Sequence, residues 1–199
     1  MYKLLAITNR RLCNNDFLEQ IQYICTLNEK STMIESVSIV LREKDLSEND
    51  YKELAAKVLK ICKENNTECI LHNFYKVARE LNCKKIHLPL YVLKGNPNIH
   101  KEFNKIGVSI HSANEAIEAI NLGATYITAG HIFTTDCKKD IPPRGLSFLS
   151  SVCSSVNIPV YAIGGISPKN AQKTIDAGAV GICIMSGLMT SQNPKVLFE

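Results

Sequence analysis

A chain of 199 residues, 45% hydrophobic and 21% charged, is long enough for one domain with a sizeable core. Its net charge of +4 is spread along the sequence without a basic block interleaved with aromatic residues, which argues against nucleic-acid binding and favours mild attraction of an anionic metabolite. No apolar run approaches the ~18 residues of a membrane span, and the strand-like start leaves no room for a signal peptide, so we expect a cytoplasmic protein without membrane contact.

The eight cysteines do not indicate a disulfide scaffold. No C-x-x-C pair occurs in the sequence. Cys25, Cys69 and Cys183 lie inside apolar runs, where cysteine behaves as a small buried hydrophobic residue. We therefore expect reduced thiols and no zinc cluster.

Eight strand-like runs alternate with helical patterns. The runs are KLLAIT at 3–8, SVSIVLR at 36–42, ECILH at 68–72, KKIHLPL at 84–90, GVSIHS at 107–112, YITAGHIF at 126–133, PVYAIGG at 159–165 and AVGICIMSG at 179–187. Helical patterns cover 16–28, 48–66, 113–123 and 169–178, and the chain end offers only a short eighth helix. Short strands joined through helices pair in parallel. The pattern predicts an α/β fold, a (β/α)8 TIM barrel forming one compact domain over 1–199, with a doubly wound open sheet as the alternative.

The last two strand-like runs each end in small residues that suit a phosphate. Gly164 and Gly165 end the seventh run, and Ser186 and Gly187 end the eighth. A missing Cβ lets backbone N–H groups approach an anion closely, and barrels commonly bind phosphate in the loops after strands seven and eight. We therefore predict one phosphate site on these four residues, where a Cβ at Gly165 or Gly187 would intrude on the anion or strain the turn.

Other polar residues lie where the strands end, which is where a barrel carries its chemistry. Those singled out are Arg42, Lys44, His72, Ser109, His111 and His131. A long polar loop, TTDCKKDIPPRG, begins at 134. Such loops act as lids, and Thr135, Lys138 and Arg144 are placed to close on an anionic substrate.

Six segments together resemble a known family. They are LREK at 41–44, GVSIHS at 107–112, GHIFTTDCKK at 130–139, RGLSFLS at 144–150, IPVYAIGGISP at 158–168 and AGAVGICIMSG at 177–187. Over nearly its whole length the chain resembles thiamine phosphate synthase and its relative thiazole tautomerase (TenI type), and the 130–139 segment resembles the tautomerase branch. The resemblance implies a (β/α)8 barrel that binds a thiazole phosphate.

In the synthase branch, the resemblance implies Mg²⁺ held by two aspartates after the third and fourth strands. Here His72 and Asn73 stand at the first motif, and Tyr91 and Val92 where the second aspartate is expected. A divalent cation of this kind prefers oxygen ligands. Both metal carboxylates are therefore absent.

Two further positions depart from the synthase pattern. Val40 stands where the resemblance places a glutamine contacting the pyrimidine, and Cys137 replaces the second threonine of a T-x-T-K motif that keeps Thr135 and Lys138. Thiamine phosphate synthase, the Mg²⁺-dependent condensation of hydroxymethylpyrimidine diphosphate with thiazole phosphate, is therefore the alternative function.

The residues that do not depart from the family pattern fit the reaction of the tautomerase branch. It aromatises 2-(2-carboxy-4-methylthiazol-5(2H)-ylidene)ethyl phosphate by moving one proton. That reaction requires a phosphate site and an acid-base group, and neither a metal nor another cofactor. The resemblance makes His111 the expected proton carrier, although synthases also carry histidine here, and imidazole titrates near neutral pH.

The remaining residues each have a competing interpretation. The expected substrate ligands are Arg42, Lys44, His72, Ser109, His131, Thr135 and Lys138, with Lys44 at the substrate carboxylate. A solvated charge is an equal alternative for Arg42 and Lys44, and a loop filler for His72. His131 either lines the site or braces the lid. His87 is expected to be a satisfied core histidine, and Cys137 a lid residue and not a nucleophile.

Two other classes of function stay open. One is a catalytically idle barrel that binds thiamine precursors or regulates a partner. The other is a different phosphate-sugar isomerase or synthase on the same phosphate site, because fold does not fix reaction. The expected partner is a small-molecule thiazole phosphate, and a homodimer is compatible with the sequence.

Overall fold

The computed structural model describes residues 1–27, 32–135 and 141–198. Eight strands form a closed barrel in chain order, and each neighbouring pair with a defined register is parallel. The strands are β1 Tyr2–Ile7, β2 Ile34–Leu41, β3 Glu68–His72, β4 Lys85–Pro89, β5 Lys105–Ile110, β6 Tyr126–Gly130, β7 Val160–Ile163 and β8 Gly181–Ile184. The predicted (β/α)8 TIM barrel is confirmed.

A helix follows each strand within the described residues. The helices are α1 Phe17–Cys25, α2 Glu48–Glu64, α3 Tyr75–Glu80, α4 Leu90–Lys94, α5 Ala113–Asn121, α6 Gly145–Ser155, α7 Pro168–Asp176 and α8 Ser186–Thr190. Three shorter 3-10 turns are Arg10–Leu12, Ile99–Lys101 and Pro194–Phe198. The eighth helix is short, as expected, with 5 residues, but it precedes the segment 191–199 in which it was expected, and that segment carries a 3-10 turn.

Polar caps fix where the longer helices begin. Asp16 accepts hydrogen bonds from two backbone N–H groups of α1, Ser47 accepts from the N–H of Asp50 in α2, and Ser112 accepts from that of Glu115 in α5. These side chains satisfy N–H groups that a helix start leaves without an internal partner. The predicted helices at these three places are therefore confirmed within a few residues.

All strands except β3 end one to three residues earlier than predicted, and for two of them the local structure gives the reason. Strand β6 stops at Gly130, because His131 has a φ of 64°, in the left-handed region that a strand cannot contain. Strand β5 stops at Ile110, because Ser112 caps the next helix. The sequence prediction also left out α3, α4 and α6. The first two are only 6 and 5 residues long, and α6 starts at a glycine without a side-chain cap.

The chain divides into two compact units, the first comprising Met1–Ile86 and Ile184–Glu199. In this unit β1, β2 and β3 are paired, with Ala6 opposite Ile39 and Ile39 opposite Cys69. Most side chains of these strands are buried, among them Leu4, Leu41 and Ile70. They form the apolar core of the unit.

The second unit comprises His87–Cys183. Its strands β5 to β8 are paired so that Ser109 lies opposite Thr128, and Thr128 opposite Tyr161. This register places three polar side chains in one row between buried residues such as Val108 and Ile127. A single compact domain over 1–199 stays a prediction.

Seven cysteines in the described part of the chain carry no disulfide bond. Within the described ranges, none of the helices combines the length and the apolar character needed to cross a membrane.

Candidate functional site

Glu43 is a buried carboxylate just past the end of β2, and it ties together the loops after β1 and β2. Thr8 Oγ1 donates to Glu43 at 2.6 Å, and the backbone N–H of Arg10 donates to both carboxylate oxygens at 3.1 Å. The guanidinium of Arg10 adds a charge-assisted bond at 3.1 Å. A buried charge needs such partners. The carboxylate of Glu43 is therefore engaged by Thr8 and Arg10, and it holds the two loops together.

Arg10 also forms a bidentate ion pair with Asp45. Its two terminal nitrogens donate to the two carboxylate oxygens at 2.7 and 2.6 Å, and Arg11 lies 2.7 Å from the same carboxylate. The hydrogen bonds from Arg10 hold the pKa of Asp45 well below its usual range. The two acidic residues that flank Lys44 are therefore engaged by arginines.

Arg42 and Lys44 are the cations predicted to bind an anion after β2. The backbone N–H of Arg42 donates to Thr8 Oγ1 at 2.8 Å, which anchors the start of this loop. Burial, and then the charge of Arg42, lower the pKa of Lys44. These surroundings disfavour the ammonium, and a bound anion would relieve that cost. Their role as anion ligands stays a prediction.

His72 ends β3 and is buried at 5% exposure. Its backbone N–H donates to the Tyr51 hydroxyl at 3.0 Å, and that hydroxyl donates to the Leu41 carbonyl at 2.7 Å. The Tyr51 ring stacks on Phe74 with centroids 4.1 Å apart. Tyr51 of α2 therefore fixes the carboxyl ends of β2 and β3 relative to each other. The substrate contact predicted for His72 stays a prediction.

His87 is a buried histidine on β4, as predicted from its apolar neighbours. Its Nδ1 lies 3.0 Å from the Tyr126 hydroxyl and its Nε2 lies 2.8 Å from Ser109 Oγ. The expected satisfied core histidine is thus confirmed. Ser109, a predicted substrate ligand, is half-buried and also accepts a hydrogen bond from Thr128 Oγ1 at 3.2 Å.

His111, the predicted proton carrier, directly follows β5 and is exposed. Its backbone N–H donates to the Glu115 carboxylate at 2.5 Å, while the N–H of Glu115 donates to Ser112 Oγ at 3.1 Å. These two hydrogen bonds fix the backbone of His111 at the start of α5. A Cβ at Gly130 would lie 3.0 Å from two His111 ring atoms, so the ring lies against the glycine that ends β6.

His131 begins the loop after β6 in a buried, left-handed conformation. Its carbonyl accepts from the backbone N–H of Arg144 at 2.8 Å, and the Arg144 guanidinium donates to the Gly130 carbonyl at 3.4 Å. Arg144 therefore closes the base of the loop that was predicted as a lid. The hydrogen bond to Arg144 involves only the backbone of His131, so the role of its ring, lining the site or bracing the lid, stays a prediction.

Gly164 and Gly165 form a turn after β7 that only glycine fits easily. Their φ values are 105° and 63°. A Cβ at Gly164 would lie 2.7 Å from the His131 Cα. A Cβ at Gly165 would overlap the Thr134 carbonyl oxygen and lie 2.9 Å from Phe133. A Cβ at Gly165 would therefore meet protein backbone and strain the turn, which is one of its two expected effects, and the phosphate contact through the Gly165 N–H stays a prediction.

Asn170 of α7 holds the same turn. Its Nδ2 donates to the Gly165 carbonyl at 2.9 Å, and its Oδ1 accepts from the backbone N–H of Ser167 at 2.9 Å. One side chain thereby fixes both ends of the turn. Backbone N–H groups arranged in advance in this way suit an anion, because binding then costs little ordering.

Ser186 and Gly187 are the first two residues of α8, which has no side-chain cap. A Cβ at Gly187 would meet only Ile184 Cγ2, at an ordinary contact distance of 3.5 Å. Gln20 of α1 donates to the Leu188 carbonyl at 2.5 Å and holds α8 in place. The phosphate contacts of Ser186 and Gly187 stay a prediction.

The predicted lid is only partly described. Thr135 is half-buried and is the last described residue before position 141. Lys138 and Cys137, predicted as a phosphate ligand and a lid residue, lie outside the described residues.

The predicted site residues divide between the two units. Arg42, Lys44, His72, Ser186 and Gly187 belong to the first. Ser109, His111, His131, Thr135, Gly164 and Gly165 belong to the second. Sequence reasoning missed the supporting residues Tyr51 and Asn170, and it placed Glu43 at the end of the second strand without giving it a role. The only signal for Asn170 was its position three residues after Ser167, a capping spacing.

The family resemblance raises the question of whether this chain can hold Mg²⁺. After β3 stand the buried His72 and Asn73, whose φ is 69°, and on α4 stand Tyr91, 72% exposed, and Val92. These side chains offer no carboxylate oxygen, so they do not fit the ion. Over residues 1–27, 32–135 and 141–198, no group of three His, Cys, Asp or Glu side chains is arranged to hold a metal.

Comparison with known proteins gives a consistent result. The family model described as thiamine monophosphate synthase matches residues 4–188. A thiamine-phosphate synthase of Clostridium acetobutylicum is 34% identical over 98% of this chain and 90% of its own, and one of Coprothermobacter proteolyticus is 31% identical over 96% and 89%. A solved structure of thiamine phosphate pyrophosphorylase from Pyrococcus furiosus superposes with a TM-score of 0.77 at 26% identity, covering 100% of this chain and 92% of its own.

Proposed function

Because the chain belongs to the thiamine monophosphate synthase family, which includes TenI, we propose that it acts on a phosphate-bearing thiazole precursor of thiamine and that it is a thiazole tautomerase. The reaction converts 2-(2-carboxy-4-methylthiazol-5(2H)-ylidene)ethyl phosphate into its aromatic isomer. It is an isomerisation in which one proton moves, and no bond to phosphate is broken.

The observation that carries this proposal is the loss of both carboxylates from the metal positions of the synthase branch. His72 with Asn73, and Tyr91 with Val92, offer nothing that neutralises a diphosphate-bound cation. Condensation of a pyrimidine diphosphate depends on such an ion to stabilise the leaving diphosphate. Isomerisation of a monophosphate does not depend on it.

His111 supplies the acid-base group in this proposal. Neutral imidazole removes the proton from C2 of the ring. The C–H electrons form a C2=N3 double bond, the N3=C4 electrons form a C4=C5 double bond, and the electrons of the exocyclic double bond move to the exocyclic carbon. The imidazolium then returns the proton to the exocyclic carbon, which restores neutral histidine. The hydrogen bonds at Glu115 support proton transfer by His111, because they fix the backbone that carries the imidazole.

The remaining contacts are electrostatic. Arg42 and Lys44 would bind the substrate carboxylate, and the lowered pKa of Lys44 favours an anion beside it. The phosphate would lie on backbone N–H groups of Gly164, Gly165 and Gly187, the glycines that the sequence predicts for it. Ser109 and Ser186 would donate hydroxyl hydrogen bonds to the same substrate, and Thr135, Lys138 and His131 would belong to the loop that covers it.

Thiamine phosphate synthase is the second candidate. Two relatives, 34% and 31% identical over nearly the whole chain, are thiamine-phosphate synthases by name, which favours this reaction. This chain can catalyse the synthase reaction only if other groups replace the missing carboxylates. A direct comparison of the two reactions is therefore needed.

Two assays with the same preparation separate the candidates. The first follows aromatisation of the ylidene carboxylate phosphate in the presence of a metal chelator. The second follows thiamine phosphate formation from hydroxymethylpyrimidine diphosphate and thiazole phosphate with added Mg²⁺. We expect enzyme-dependent product in the first assay and none in the second. Product in the second assay alone would replace our proposal by the synthase.

A further inference from the structure

His87 lies in the middle of a chain of hydrogen bonds that joins β4, β5 and β6. Its two ring nitrogens contact the Tyr126 hydroxyl at 3.0 Å and Ser109 Oγ at 2.8 Å. Thr128 Oγ1 donates to Ser109 Oγ at 3.2 Å. His87, Tyr126 and Thr128 are at most 3% exposed, whereas Ser109 is half-buried. The chain of hydrogen bonds therefore runs from the interior to a hydroxyl that a ligand can reach.

The backbone makes room for this arrangement at Gly107. A Cβ at that position would overlap the Tyr126 ring and hydroxyl and also the Nδ1 of His87. The pair of rings thus occupies the volume of a side chain that strand β5 leaves out. The contact between His87 and Tyr126 therefore depends on Gly107 and is part of the packing of this core.

The direction of the hydrogen bonds follows from the acidity of the donors. A phenolic hydroxyl is a stronger donor than a serine hydroxyl. The ammonium of Lys105 lies 5.5 Å from the centre of the Tyr126 ring, where its charge draws electron density from the phenol and strengthens the donor further. Tyr126 therefore donates to Nδ1, and neutral His87 carries its proton on Nε2 and donates it to Ser109.

Ser109 then receives two hydrogen bonds, from His87 Nε2–H and from Thr128 Oγ1–H. A hydroxyl has two acceptor lone pairs and one proton. With both lone pairs occupied, Ser109 is left with its proton as the group to offer a ligand. We propose that Tyr126 and His87 are positioning residues that make Ser109 an obligate hydrogen-bond donor to an anionic oxygen of the substrate, an inference that rests on the proposed function.

The tautomer of His87 can be measured without any ligand. Nitrogen-15 NMR of the imidazole distinguishes the Nε2–H form from the Nδ1–H form in the full-length protein. We expect the Nε2–H form in the wild type. In Tyr126→Phe, which keeps the ring but removes the donor, we expect the histidine to populate both forms. An Nδ1–H signal in the wild type overturns the inference.

Binding supplies the second measurement, with the aromatic carboxythiazole phosphate as the probe in calorimetric titrations. Tyr126→Phe should lower affinity about tenfold, the effect of weakening one hydrogen bond to a charged oxygen. Tyr161→Phe is the matched control, because it removes a hydroxyl from the ring packed edge-on against Tyr126 and leaves the Tyr126 donor in place. Unchanged affinity in Tyr126→Phe overturns the inference. A wild type that binds no probe counts against the proposed function, and the imidazole spectra still decide the tautomer on which the inference depends.

Discussion

Gly165 and Gly187 were predicted as equivalent phosphate ligands, yet their surroundings differ. A Cβ at Gly165 would overlap the Thr134 carbonyl in a turn with a φ of 63°, whereas one at Gly187 would meet only Ile184 at 3.5 Å in a helix. Gly165 is therefore required by the fold itself, and Gly187 is available as a probe of ligand binding alone.

We expect Gly165→Ala to lower the free energy of unfolding by about 1–3 kcal/mol, from backbone strain and overlap. Gly187→Ala should leave stability unchanged or slightly higher, because alanine favours a helix, and should weaken binding of the carboxythiazole phosphate. Chemical denaturation and calorimetric titration of both variants measure the two effects. Full affinity in Gly187→Ala would remove this residue from the phosphate site.

The charge of Lys44 should lower the stability of the unliganded protein and raise its affinity for an anionic ligand. Burial and the charge of Arg42 lower its folded pKa below the unfolded value. The resulting cost to stability is fully present at pH values below the folded pKa, and it disappears as the pH rises through the unfolded pKa. Lys44→Met should therefore stabilise the unliganded protein at neutral pH, with the gain fading in alkaline solution, while lowering affinity for the carboxythiazole phosphate.

Lys57→Met is the matched control, since Lys57 is an exposed lysine on α2. Denaturation midpoints across a pH series, with calorimetry at neutral pH, give both quantities. A Lys44→Met protein that is less stable than the wild type at neutral pH, or that binds equally well, contradicts this assignment.

Among the elements, the turn between β7 and α7 depends on one side chain. Asn170 makes hydrogen bonds to Gly165 and Ser167, both at 2.9 Å. Asn170→Ala should cost about 2 kcal/mol of stability, at about 1 kcal/mol for each bond, and should weaken phosphate binding as the turn loosens.

Gln172→Ala serves as the control for that variant. Gln172 is exposed on the same helix and bonds only to the side chain of Asp176. Stability and affinity should both stay near wild type in the control. If Asn170→Ala loses stability and keeps full affinity, the turn is structural and does not bind the phosphate.

Sequence predicted the elements where local chemistry decides them. The caps Asp16, Ser47 and Ser112 mark three helices, and apolar runs mark the strands. Sequence failed where distant contacts decide. The left-handed His131 could not be inferred from an apolar run that continues through Ile132 and Phe133. Its carbonyl accepts from the backbone N–H of Arg144, and the N–H of Ile132 donates to the Ile163 carbonyl.

The same distinction holds for the candidate site. His111, Arg42, Lys44 and the glycine turns were found because their residue types at strand ends suggest chemistry. The roles of residues that position other side chains were missed. Glu43 lies 33 positions from Arg10 along the chain, and no sequence spacing signals that pairing.

In the molecule as a whole, eight alternations of strand and helix were enough to predict a closed barrel. The division into two compact units had no signal in composition or linkers. Family membership follows from a match over residues 4–188 and does not by itself select the reaction. The choice between isomerisation and condensation depends on a few side chains at the ends of β3, β4 and β5.

The most direct measurement is a ¹H NMR time course of the ylidene carboxylate phosphate with wild-type protein and with His111→Gln, both in the presence of a chelator. His100→Gln is the control, because His100 is an exposed histidine remote in sequence from the strand ends. We predict aromatisation by the wild type and the control, and turnover lower by about 10²-fold in His111→Gln with probe affinity nearly unchanged. Wild-type turnover in His111→Gln, or no acceleration by the wild-type protein, would contradict the account.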